Sequence, residues 1–166
     1  MVPHFEVTGA RWEEFDMEAG TWVIPAERMK GREEHRVFLS RQAVTLLREL
    51  GPKTIGPVFP NRRHPAQSMH RMTLTNWRKR WGFADVMEVH GLRAMASTWA
   101  NEAGKYRPDV IEVALAHKEG DRVRAAYNRA QFGEELRALW QEWADLCDEK
   151  VALTRSVNVV ILDRAA

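Results

Sequence analysis

Apolar residues recur along the chain with two periods, and the changes of period mark out its elements. Residues 21–25 (T-W-V-I-P) and 35–39 (H-R-V-F-L) are β-branched and aromatic, with a polar stretch carrying Gly31 between them. Such runs suit a pleated, half-buried surface, so the pair predicts a β-hairpin with Lys30 in its loop. Ser40 then stands where a helix cap belongs, and Ala43, Leu46, Leu47 and Leu50 follow the 3.6-residue period as far as Gly51. Residues 52–68 hold Pro52, Pro57, Pro60 and Pro65 with Gly56, which predicts a long surface connection.

Downstream the period stays helical. From about Met72, Leu74, Trp77 and Trp81 share one face, Gly82 supplies a stop, and the basic triplet Arg78 to Arg80 falls mostly opposite. A helix over about 91–103 directs Leu92, Met95, Ala96 and Trp99 inward, with Gly104 just past its end. Pro108 suits the first turn of the next helix, which carries Val110, Val113 and Leu115. After Gly120 a short helix holds Val123 and Tyr127, and a longer one over 133–148 presents Leu136, Leu139, Trp140, Trp143 and Leu146. The β-prone run V-N-V-V-I-L at 157–162 reads as an edge strand packing on this chain or on a neighbour. The fold class is thus mainly α with a small antiparallel β-sheet, an α+β domain over 1–150 followed by a tail over 151–166.

Composition supports one core. The chain has 166 residues, 45% of them hydrophobic, with seven Trp and six Phe, enough apolar area for a continuous interior. No apolar run approaches the roughly 20 residues of a spanning helix, so no membrane partner is expected and the protein reads as soluble and cytoplasmic. Cys147 is the one cysteine, which excludes an internal disulfide and reads as an inert, partly buried thiol.

The formal net charge is only +2, but the charges are unevenly spread. Cations gather at Arg28, Lys30, Arg32 and Arg36, at Arg62, Arg63 and Arg71, at Arg78 to Arg80, and at Lys118, Arg122, Arg124 and Arg129. Carboxylates gather later, at Glu134, Glu135, Glu142, Asp145, Asp148 and Glu149. Folding could gather the cations on one phosphate-facing side, or leave both sets as ordinary solvated helix faces.

Four residues could share one chemistry. His90 and Arg93 are three apart at a predicted helix start, a spacing that lets both side chains reach one point. His117 ends a predicted helix, and Tyr127 follows ten residues later in A-A-Y-N-R. Taken singly, each has a plainer reading: His90 and Arg93 as a capping histidine with a surface arginine, Tyr127 as a half-buried core residue and His117 as a charge at a helix end, just as Lys30 reads as a solvated turn residue.

The runs I-P-A-E-R-M-K (24–30), H-G-L-R-A-M-A-S-T-W-A-N-E-A-G (90–104), D-V-I-E-V-A-L-A-H-K-E-G (109–120) and V-R-A-A-Y-N-R-A (123–130) resemble the catalytic domain of prophage-type integrases in the tyrosine recombinase family. The likeness covers roughly residues 6–147. It implies site-specific DNA recombination through a 3′-phosphotyrosyl intermediate, with Tyr127 as nucleophile, Arg93 and His90 as the H-x-x-R pair, His117 as the later histidine and Lys30 as the hairpin lysine. Arg32, Arg71, Arg78, Lys118 and Arg124 become the candidate DNA contacts. The implied partners are double-stranded attachment-site DNA and further copies of the chain, a tetramer on DNA, with no cofactor and no metal.

The chemistry accounts for those residue types. A tyrosine ester conserves the bond energy needed for religation. Arginine forks match the charge spread over the non-bridging oxygens, a lysine of lowered pKa can protonate the leaving 5′ oxygen, and histidine can accept the phenol proton or bond the phosphate. One family position departs from the pattern: in the family's R-x-x-E, Glu6 matches the glutamate and the arginine's place falls on Pro3. Half of the phosphate clamp would then be missing, and this chain is expected to act without the family's amino-terminal DNA-binding regions. The expectation is therefore a fragment that binds DNA weakly and cleaves poorly, the alternatives being a non-catalytic DNA-binding remnant or a helical scaffold for a protein partner. Type IB topoisomerases share the same chemical logic, but the local runs match integrases more closely.

Overall fold

The computed structural model describes residues 4–29, 31–116 and 132–163. Helix α1 (His4–Thr8) leads through a 3-10 turn (Trp12–Glu14) into a three-stranded antiparallel sheet ordered β1 (Phe15–Asp16), β2 (Thr21–Ile24) and β3 (His35–Phe38). Helices α2 (Arg41–Glu49), α3 (Thr73–Arg80), α4 (Gly91–Glu102), α5 (Pro108–Ala114) and α6 (Gly133–Asp163) follow. The architecture is the expected α+β arrangement of helices around a small sheet.

The predicted hairpin is β2 and β3, in the register Thr21↔Phe38 to Ile24↔His35. Strand β1 adds an edge that periodicity could not reveal, because two residues show no alternation. It is placed by stacking of Phe15 on Trp22, with centroids 5.2 Å apart, and by Asp16 Oδ1, which accepts from the amides of Glu18 and Ala19 to close the β1–β2 turn.

Among the described residues two clusters form the interior. Ala10, Trp12, Trp22, Ile24 and Val58 pack under the sheet, with Met29, Leu47 and Phe59 at their margin. Ala100, Val110, Ile111, Ala114, Leu115, Phe132, Leu136 and Leu139 join α4, α5 and α6, and Phe38 carries the sheet onto this second cluster. Helix α2 is capped as its sequence predicts, Ser40 Oγ accepting from the Ala43 amide at 3.2 Å, with Gly51 beyond it at φ +74°. Its Leu46 and Leu50 are exposed, however, because the helix settles on Ala43, Val44 and Leu47.

Helix α3 differs more. Trp77 and Trp81, expected to face inward, are 50% and 64% exposed and lie in ring contact with one another, while Arg78 is 6% exposed. Helix α4 is turned in the same sense: Ala96 and Ala100 are buried, and Leu92 and Met95 face out. Small residues let α4 approach α5 closely, which a Leu and Met face would prevent.

The run at 157–162 is not a strand, because α6 continues unbroken to Asp163. Residues 134–163 contain no Gly or Pro, and each β-branched residue costs a helix only about 0.5 kcal/mol while extension adds a hydrogen bond. Cys147 lies on an exposed part of α6; desolvation and then Asp148 push its thiol up, so it stays protonated near neutrality. The short helix expected around Val123 and Tyr127 lies outside the described residues. No helix among those described is long and apolar enough to cross a membrane.

Candidate active site

Helix α4 starts where the H-x-x-R pair falls. His90 occupies the residue before its first turn, at φ −70° and ψ −28°, with an exposed side chain, and its carbonyl accepts from the Arg93 amide at 3.1 Å. Arg93 lies on the same face of α4 as Ala96 and Ala100, so the packing that buries those alanines draws its side chain half out of water. Burial pushes the Arg93 guanidinium below its usual range, and the carboxylates of Glu112 on α5 and Glu6 on α1 oppose that shift. An arginine remains charged through such a shift, so the result is a partly desolvated cation held beside two carboxylates from two other helices.

The lead into α4 is held by an arginine expected elsewhere. Arg78 Nη1 donates to the carbonyl oxygens of Ala84, at 2.8 Å, and Met87, and it pairs with Glu88 at 2.6 Å. By its sequence Arg78 is a candidate DNA contact. Its guanidinium is instead buried and spent on the 84–88 loop, because those carbonyls have no helix or strand to satisfy them and Nη1 alone reaches both.

The hairpin loop is tied to the same region. Arg28 donates to the carboxylate of Glu14 and to the carbonyl of Glu6. Glu14 also accepts from the Trp22 indole at 2.9 Å, so Arg28, Glu14 and Glu6 link the loop's first half to α1, whose Glu6 carboxylate acts on Arg93. Periodicity gave no sign of this link, since Arg28 and Glu14 lie on different elements and no local repeat relates them. Glu112, too, was missed, although it lies within one of the runs that carried the resemblance.

Beyond the loop's midpoint Arg32 takes a left-handed conformation, φ +53°, its amide donating to the Met29 carbonyl at 2.9 Å, and its side chain is exposed. Arg71, just ahead of α3, is exposed as well. Lys30, His117, Lys118, Arg124 and Tyr127 lie outside the described residues, so of the five catalytic candidates only His90 and Arg93 have a described geometry. Helix α5 hands the chain toward His117 through Leu115, which is buried, and Ala116, which is left-handed at φ +53°. Among the described residues no three His, Cys, Asp or Glu side chains converge as a metal site requires.

The chain's other tyrosine, Tyr106, is packed on Trp99, ring centroids 6.1 Å apart. Burial and then the Glu142 carboxylate push its phenol up to about 12, which keeps it protonated and a poor nucleophile.

Comparison with known proteins adds a consistent picture. The model of the phage integrase family matches residues 5–134. Prophage integrase IntA of Escherichia coli (strain K12) is 46% identical over 143 residues, covering 85% of this chain and 34% of the relative. Prophage integrase IntZ of the same strain is 37% identical over 149 residues, covering 89% of this chain and 37% of the relative. The integrase of Enterobacteria phage P4 is 37% identical over 162 residues, covering 86% of this chain and 36% of the relative. This chain therefore spans roughly a third of the length of the relatives it matches. No solved structure matches it.

Proposed function

The chain belongs to the phage integrase family, and on that premise we propose that it is the part of a site-specific recombinase that breaks and rejoins DNA. Tyr127 attacks the scissile phosphorus, the P–O5′ bond breaks, and a 3′-phosphotyrosyl ester forms; the reverse attack by a 5′-hydroxyl reseals a strand. Arg93 and the two histidines line the phosphate. His90 and His117 share the tasks of accepting the phenol proton and bonding a non-bridging oxygen, and Lys30 delivers a proton to the departing 5′ oxygen. The DNA is double-stranded attachment-site sequence, bridged by further copies of the chain.

The observation that carries this reading is the half-buried Arg93 beside Glu6 and Glu112, one helical turn from an exposed His90. A fork already drawn from water loses less solvation when a phosphate arrives, and preorganised donors of this kind stabilise developing charge best. The packing of Tyr106 on Trp99 against the interior supports Tyr127 as the nucleophile, since the chain has only two tyrosines.

Pro3 favours a second reading, a DNA-binding remnant that cleaves poorly. A missing transition-state donor costs on the order of 10²- to 10³-fold in rate. Incubation with nicked or phosphorothiolate duplexes, in which cleavage is hard to reverse, tests both. A denaturant-stable protein–DNA adduct that persists in Tyr106→Phe and vanishes in Tyr127→Phe establishes the nucleophile. An adduct formed only by Pro3→Arg identifies an incomplete clamp, and no adduct from either chain sinks the enzymatic reading.

A further inference from the structure

Between Glu49 and Asp85 the sequence contains no carboxylate at all, while Lys53, Arg62, Arg63, Arg71, Arg78, Lys79 and Arg80 all fall there. Of these only Arg78 is buried. The middle of this stretch was expected to be a plain surface connection, but it folds back on itself. The Met69 amide donates to the Phe59 carbonyl at 2.7 Å, the Asn61 amide to the Gln67 carbonyl at 2.8 Å, and Pro60 and Ser68 form an antiparallel bridge. Residues 59–69 are thus a narrow two-stranded ribbon with Arg62, Arg63 and His64 at its tip, all exposed.

Both ends of this ribbon are fixed. At its root Val58 is buried under the sheet, its amide donating to the Ala10 carbonyl at 2.9 Å, and Phe59 packs on the same cluster. At its tip Asn61 Oδ1 accepts from the amides of Arg63, at 2.9 Å, and His64, at 3.2 Å, and the Gln67 amide closes the turn on the His64 carbonyl at 2.9 Å. A solvated loop needs none of this. Two adjacent arginines are held at the end of an arm that reaches roughly 10–13 Å from Phe59, at about 3.3 Å per residue.

We infer that this ribbon is a phosphate-gripping finger for duplex DNA, with Arg62 and Arg63 on the sugar–phosphate edge of a groove. The inference rests on the reading that the chain works on DNA, and adds a contact outside the H-x-x-R site. Its partner is a polyanion because no carboxylate anywhere in the stretch offsets the cations. Rigidity matters to affinity, since an ordered turn loses less conformational freedom on binding than a loose loop would.

The test is the salt dependence of binding to a labelled 30-base-pair duplex, followed by fluorescence anisotropy. Each phosphate neutralised contributes about 0.9 to the slope of log affinity against log salt. The double variant Arg62→Ala/Arg63→Ala is expected to flatten that slope by nearly 2, while Arg62→Lys/Arg63→Lys keeps it and Lys150→Ala, a control on α6, leaves it unchanged. Thermal unfolding of all three should match the parent, the substituted side chains being exposed. A parent that binds with an unaltered slope in the alanine variant overturns the finger and directs the ribbon to another class of partner. A parent that binds no duplex even at low salt overturns the DNA reading itself, and the finger with it.

Discussion

Replacing Arg78 by alanine removes a side chain that is 7% exposed and joined to two backbone carbonyls and a carboxylate. The Glu88 partner is 69% exposed, so solvent screening limits that ion pair to at most about 1 kcal/mol. The carbonyls of Ala84 and Met87 matter more. A hydrogen bond from a charged donor contributes about 1.5–3 kcal/mol, and a buried acceptor left without a partner costs about 1–3 kcal/mol. The variant should therefore lose about 3–4 kcal/mol, lowering Tm by roughly 6–16 °C in a chain of this size. Arg78→Lys should recover only part of the loss: one ammonium has donors enough for both carbonyls, as Nη1 does here, but it sits one bond nearer the backbone and must reach them from farther away. Urea unfolding followed by tryptophan fluorescence measures the loss, with Arg71→Ala as an exposed control expected within about 0.5 kcal/mol of the parent. If Arg78→Ala unfolded at the parent's midpoint while losing DNA affinity as Arg71→Ala does, the guanidinium would face phosphate, and the account of the 84–88 loop would be wrong.

Other consequences are equally direct. Trp81→Ser should change stability by less than about 0.5 kcal/mol, whereas Trp12→Ala, in the interior, should cost about 3–5 kcal/mol; denaturation midpoints distinguish them. Ala116→Gly should stabilise by about 1 kcal/mol, since alanine at φ +53° adopts a conformation that glycine enters freely, and a fall in Tm would refute the left-handed turn ahead of His117. Tyr106, with its folded pKa raised to about 12 from an ordinary 10, stays protonated in the folded protein where the unfolded chain ionises. Its contribution is complete below about pH 10 and lost as pH rises from about 10 to about 12, so the parent should weaken across that window more than Tyr106→Phe does. Denaturant midpoints at graded pH would show the difference, and identical profiles would mean the phenol is not shifted.

Much of the molecule was legible from its residues. Period-2 and period-3.6 patterns located the hairpin and the helices, Ser40 and Gly51 bounded α2, and Gly104 and Pro108 bounded α4 and α5, because capping and turn chemistry act over only a few residues. The motif runs likewise led to His90 and Arg93 at one helix start. Which face of a helix turns inward was decided by packing. The apolar pattern of α3 and α4 permitted Trp77 and Met95 as core residues, but α4 needed small side chains to lie close to α5, and the 84–88 carbonyls needed the buried Nη1 of Arg78.

The same division holds at the site. Sequence determined that a histidine and an arginine stand three apart at a helix start, since local spacing fixes that much. Only the tertiary structure decided that Arg93 lies half out of water beside Glu6 and Glu112, and that Arg28 ties the hairpin loop to α1. Those relations join residues far apart in the chain, and no local period encodes them. They arise because buried charges and unpaired carbonyls must find partners wherever the folded chain supplies them.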